Sequence, residues 1–149
     1  MCGFRQRVWT DARNSHIVLL FNLPMGVLVA ISIPIFTSQL EKAREATDMA
    51  NIRSAYAEAS AAALTEEAWT STNPAADSTF TKYEYKAGSN GGNDSTWSVT
   101  VKATQKSTSN GTDGWANGKP TIGGVSVDAG TTQYVVTVKG DGTCTITAS

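Results

Sequence analysis

The sequence predicts an α+β fold: a long N-terminal helix, apolar in its first half and amphipathic in its second, packed on a small antiparallel β-sheet. Three observations carry this. No residue between Arg13 and Glu41 is charged. From Ile35 to about Thr65 the chain has neither glycine nor proline and is rich in Ala, Glu, Lys and Arg, a helical composition. From Glu66 to Ser149 the apolar residues recur with a period of two. The 149 residues therefore divide into a leader-like segment over 1–16, a helix over 17–66 and a β-domain over 67–149.

Hydropathy sets the first half of the helix. Residues 17–36 read IVLLFNLPMGVLVAISIPIF, 20 residues of which 13 are Ile, Val, Leu or Phe. About 20 residues at 1.5 Å each span a bilayer. Asn22, Pro24, Gly26, Ser32 and Pro34 interrupt the run and keep insertion favourable by a narrow margin. Arg5, Arg7 and Arg13 precede it with only Asp11 opposing, so the positive-inside rule holds the N-terminus in the cytoplasm and exports the β-domain. A cleaved secretory signal is disfavoured because Leu28, two residues before Ala30, breaks the small-x-small pattern. A core helix of this length would need more protein around it than this chain supplies.

The second half is a rod of 31 residues, Ile35 to Thr65, about 46 Å long. Phe36, Leu40 and Ala43 form one short apolar row, and Met49, Ile52, Tyr56, Ala59 and Ala63 follow at spacings of three and four, the stripe expected to pack on the sheet. Glu41 with Arg44, Lys42 with Glu45 and Arg44 with Asp48 are spaced to pair at about 0.2–0.5 kcal/mol each, which reads as a solvated face. The run AEASAAAL at the end of the rod lets another element approach closely.

Of the 84 residues after Thr65, 41 are Thr, Ser, Gly or Asn and 16 are Val, Ile, Leu, Phe, Trp or Tyr, too few for an independent core. Trp97, Val99, Val101 and Ala103 alternate with polar residues, as do Tyr134, Val136 and Val138, and then Cys144, Ile146 and Ala148. Lys139-Gly140-Asp141-Gly142 is a hairpin turn between the last two strands, and Tyr83 and Tyr85 mark a further, shorter strand. Gln105 to Gly130, with six glycines and Pro120, is a long irregular connection or small excursion. The unpartnered stripe of the helix and the uncovered face of the sheet complete one another.

Composition narrows the chemistry. A net charge of -1 offers no basic surface for nucleic acid. One histidine, His16, and two distant cysteines, Cys2 and Cys144, exclude Cys/His zinc sites and a histidine-dependent triad in the C-terminal part. Cys144 reads as an unpaired, buried β-residue. Glu66 and Glu67 are adjacent, and Asp77, Glu84, Asp94, Asp113, Asp128 and Asp141 show no spacing that sets two acids across a cleft, so no enzyme and no cofactor is expected. Asn90, Asn93 and Asp94, or Asn110 and Asp113, offer oxygens to calcium, but turn chemistry accounts for them and no metal is assigned. Asn93-Asp94-Ser95 and Asn110-Gly111-Thr112 match the short glycosylation acceptor pattern and carry no weight alone. Trp69, Trp97 and Trp115 suit stacking on sugars; Trp97 is in strand phase, which leaves Trp115, on the loop TDGWANGKP, as the candidate adhesive contact.

From Gly26 onward the chain, GVLVAISIPIFTSQLEKAREATDMANIRSAYAEASAAAL, resembles the N-terminal helix of type IV pilins and pseudopilins. The resemblance rests on the apolar segment after a glycine, the Ala-Ile-x-Ile-Pro step at Ala30 to Pro34, the aromatic Phe36 and Lys-Ala-Arg at Lys42 to Arg44, and it covers about 40 residues. It implies a membrane-stored subunit that polymerises into a surface filament, with Gly26, Leu28, Ile31, Ile33, Pro34, Phe36 and Leu40 in the filament and membrane helix. The implied partners are copies of the same chain, the membrane before assembly, the prepilin peptidase and the pilus assembly machinery; the implied roles are motility or adhesion. A minor pilin or a pseudopilin of a secretion or DNA-uptake machine shares these features, and a membrane-anchored glycan-binding module is the rival from another class.

Upstream of Gly26 the pattern departs from the family. A prepilin leader ends in glycine followed by Phe-Thr-Leu-x-Glu, with N-methylation after cleavage, and by spacing from Pro34 the phenylalanine and glutamate would fall at Arg13 and Ile17. Gly3-Phe4 lies about nine residues too early and runs into Arg5, Gln6 and Arg7. Two readings are open: a reading-frame error over residues 1–24, which is favoured, or a degenerate pilin that inserts but is not processed.

Overall fold

The computed structural model describes residues 13–70, 78–89, 92–109, 111 and 113–149; the side chains of 13–32 and 34 lie outside the described residues. Helix α1 spans Arg13–Thr65, and the chain forms two units, Met1–Ser38 and Gln39–Ser149. The side chains of the leader-like segment over 1–16 and of most of the apolar run 17–36 therefore lie outside the described residues. Among the described residues no helix is long and apolar enough to cross a membrane.

The second unit is one helix packed on a small antiparallel sheet, an α+β fold. The sheet contains β1 (Phe80–Lys86), β2 (Thr96–Lys102), β5 (Gln133–Lys139) and β6 (Cys144–Ala148) in the order β1-β2-β5-β6, and β3 (Thr121–Ile122) with β4 (Val125–Ser126) makes a separate two-stranded hairpin. Alternation decides which face is buried. Trp97, Val99 and Val101 of β2 lie opposite Val138, Val136 and Tyr134 of β5, and Val136 and Val138 lie opposite Ile146 and Cys144 of β6; all are buried with Ile52, Ala55, Ala59 and Ala62 of α1. The opposite face is threonine-rich, with Ser98 and Thr137 hydroxyls 2.8 Å apart.

The strand marked by Tyr83 and Tyr85 is as long as β2 and carries a bulge between Phe80 and Lys82. The extra residue switches phase, so Phe80 joins Tyr83 and Tyr85 on the helix side opposite Val101, Val99 and Trp97. Cys144 is a free, buried thiol whose burial pushes its pKa up.

The helix ends with Glu66 in the left-handed region at φ 51°, and Glu67 N–H returns to the Ala62 carbonyl at 3.1 Å, the bonding of a Schellman-type cap. The connection between β2 and β5, for which the sequence predicts a long irregular connection or small excursion, contains the β3–β4 hairpin. Its turn residues Gly123 and Gly124 both have positive φ, 59° and 79°, which a tight two-residue hairpin requires. Gly123 also sits against α1: a Cβ there would lie 2.6 Å from the Tyr56 ring.

Candidate functional site

A line on the helix at spacings of four and three, Glu41, Glu45, Asp48, Ile52, Ala55, Ala59 and Ala62, is buried along its whole length. Its C-terminal part is apolar and meets the sheet. Its N-terminal part consists of three carboxylates, and these meet the chain that leaves β2.

Among the described residues, five backbone N–H groups of that connection point at the three acids. Thr104 N–H donates to Asp48 Oδ1 at 2.8 Å and Gln105 N–H to Asp48 Oδ2 at 2.9 Å. Lys106 and Ser107 N–H both donate to Glu41 Oε1, at 2.6 and 2.9 Å, and Ala116 N–H donates to Glu45 Oε2 at 2.8 Å. Arg44 donates to Glu41 Oε2 at 3.0 Å. Burial pushes the Glu41 carboxyl up, but the Lys106 N–H, the Arg44 guanidinium and the Ser107 N–H outweigh it and hold the group below its ordinary value. An irregular segment without ladder partners must bond its N–H groups elsewhere, and anionic acceptors make the stronger bonds.

This corrects the reading of Glu41, Glu45 and Asp48 as a solvated face. Of the spaced pairs, Glu41 with Arg44 forms, while Asp48 turns to Thr104 and Gln105. Behind the clamp Gln105 is fully buried: its amide donates to the Ser107 and Gly114 carbonyls at 2.6 and 2.7 Å, and its Oε1 accepts from the Tyr134 hydroxyl at 3.4 Å.

Trp115 is corrected as well. It is 1% exposed, its indole N–H donates to the Val127 carbonyl at 3.0 Å, and its ring lies 6.3 Å from that of Tyr134. The loop folds its one large apolar side chain into the core, so Trp115 offers no adhesive surface. The expected helix-sheet stripe lies in the core, with Ile52 and Ala59 fully buried and Met49, Tyr56 and Ala63 flanking them half-buried.

From Ile33 to Leu40 the described side chains of the helix are all exposed. In the first unit Ile33, Ile35 and Phe36 are 58%, 58% and 69% exposed, and in the second unit Leu40 is exposed too. Gly26, Leu28, Ile31 and Pro34 lie outside the residues whose side chains are described. Among the described residues no group of three His, Cys, Asp or Glu could hold a metal ion. No family model, no curated protein and no solved structure matches the chain.

Proposed function

We propose that the chain is a structural subunit of a type IV pilus-like surface filament, stored in the membrane and polymerised through the first half of α1, with its β-domain exported. The observation that carries this reading is an uncharged helix segment whose Ile33, Ile35 and Phe36 are each more than half exposed. Large exposed apolar side chains in series require lipid or protein to cover them, and a span interrupted by Gly26, Ser32 and Pro34 leaves lipid for a helix bundle more readily than an unbroken one. The pilin-like residues from Gly26 to Arg44 supply the family. The second unit suits the role of a head, because the buried line on α1 ties the helix to both the sheet and the β2–β5 connection.

In this reading residues 17–36 form the membrane and filament half of the helix, the partners are copies of the same chain with the peptidase and assembly machinery, and no residue is assigned catalysis. The test is the intact mass and N-terminal residue of the protein in sheared surface material and in membranes of its native host. A shortened, N-methylated chain abundant in the sheared fraction is expected. A chain that still begins at Met1 and stays in the membrane would overturn the filament reading. Scarcity in sheared material with normal processing would instead indicate a minor pilin or pseudopilin.

A further inference from the structure

The last turns of α1 carry small side chains, and the αL residue Glu66 turns the following segment so that Glu67 to Thr70 passes beside the helix end. A cleft of about 660 Å³ opens there, with Ala61 and Ala62 among the lining residues of the helix. Trp69 and Tyr83 line it too and meet edge to face, ring centroids 5.4 Å apart at 82°, so the cleft holds two aromatic planes at right angles. Tyr83 donates its hydroxyl to Glu58 Oε2 at 2.8 Å, which fixes a carboxylate next to the rings, and Glu67 lines the same space. The Trp97 indole N–H donates to the Glu67 carbonyl at 2.6 Å and holds that segment in place.

We propose that this cleft binds a quaternary ammonium group, packed on Trp69 and Tyr83 and neutralised by Glu58 and Glu67. The lining residues include two acids, Glu58 and Glu67, and no Lys, Arg or His, so the complement is a cation. Aromatic planes attract cations through their quadrupole, and they do so most effectively for ions that leave water easily. A quaternary ammonium is such an ion: it has no N–H to satisfy, and its methyl groups match a lining of alanines and rings. A primary ammonium is a compact, strongly hydrated charge and gives up more water on entering such a lining. Burial and Glu58 push the Tyr83 phenol up to about 12, so the ring stays neutral at any physiological pH. The site lies in the second unit and does not depend on filament assembly.

The full chain in a polyoxyethylene detergent is titrated with choline chloride, with tryptophan fluorescence and ligand-observed saturation-transfer NMR as readouts. Saturable binding in the millimolar range, about 1–10 mM, is expected. The neutral isostere 3,3-dimethyl-1-butanol should bind roughly tenfold more weakly, as should choline to the shape-preserving double variant Glu58→Gln, Glu67→Gln. Equal binding of the alcohol, of butylammonium or of glucose would overturn the assignment, and so would the absence of a saturable choline response in the wild-type chain. Because the isostere comparison uses the wild-type protein, the result does not depend on any variant folding.

Discussion

Thr104 donates both its backbone N–H, at 2.8 Å, and its hydroxyl, at 2.7 Å, to the same oxygen of Asp48, a fully buried carboxylate one helical turn before Ile52. The other Asp48 oxygen takes the Gln105 N–H. A single side chain on α1 thus terminates β2 and starts the connection to β5. Asp48→Asn keeps the shape but places an NH₂ where an oxygen accepts, leaving at least one buried donor unpaired. The expected loss is about 1.5–3 kcal/mol, the worth of hydrogen bonds to a charged group. Urea unfolding of the full chain checks it; an unchanged midpoint would show that the connection is held by other contacts.

Glu41 makes the same clamp sensitive to acid. Its folded-state pKa lies below the ordinary 4.5, so its contribution to stability is present above that value and disappears as pH falls through the lower, folded value. The urea midpoint of the wild-type chain should fall as the pH is taken from 4.5 downward. Glu41→Gln should be less stable at neutral pH and flatter over this acid range, because it has no proton to gain. Parallel pH profiles for the two proteins would refute the assignment.

Tyr134 acts at the opposite end of the pH scale. Burial raises its phenol, the Gly130 backbone bond partly offsets this, and the charges of Asp48 and Glu45 raise it further, to about 12. A folded pKa above the unfolded 10 means that the contribution is complete below pH 10 and is lost as pH rises from 10 toward 12. Phenolate absorbance of the folded chain should show two late-titrating tyrosines, Tyr134 and Tyr83, and Tyr134→Phe should remove one of them. A late phase of unaltered amplitude in that variant would exclude Tyr134 from it.

The strands were legible because their alternation is local: Trp97 to Ala103 and Tyr134 to Val138 declare both extent and buried face without reference to the rest of the chain. The stripe Met49 to Ala63 was legible for the same reason, at helical period. Hydropathy missed the continuation of that buried line into Glu41, Glu45 and Asp48, since it scores an acid as exposed. The signal was present in the spacing: counting back from Ile52 by four, three and four reaches Asp48, Glu45 and Glu41. The partners of those acids are main-chain N–H groups far away in sequence, which no side-chain pattern records. Trp115 sits against groups farther along the chain, its indole on the Val127 carbonyl and its ring beside that of Tyr134, which no local pattern records. The phase of Phe80 likewise depends on a bulge that alternation cannot anticipate.

Trp115 should therefore behave as a packing anchor. Trp115→Ala should cost about 3–5 kcal/mol, as truncation of large buried aromatics does, and should leave the Val127 carbonyl without its indole donor. Unfolding curves and near-ultraviolet circular dichroism measure this. A variant as stable as wild type would mean that the loop does not hold the ring in the core in solution.

The exposed apolar residues of α1 supply a prediction that, on the filament reading proposed above, separates assembly from folding. Phe36 is 69% exposed and contributes little to the second unit's core, so Phe36→Glu should leave the unfolding midpoint of the β-domain unchanged within about 0.5 kcal/mol. In a bundle of uncharged helices the same carboxylate would be buried without a partner, at a cost of several kcal/mol per subunit. Filament yield in sheared material should consequently collapse, while Ser54→Glu, an exposed change farther along the helix, should leave it near the wild-type level. Wild-type yield from the Phe36 variant would remove this helix from the filament interior, whereas loss of both yield and β-domain stability would show that Phe36 supports the fold rather than the assembly.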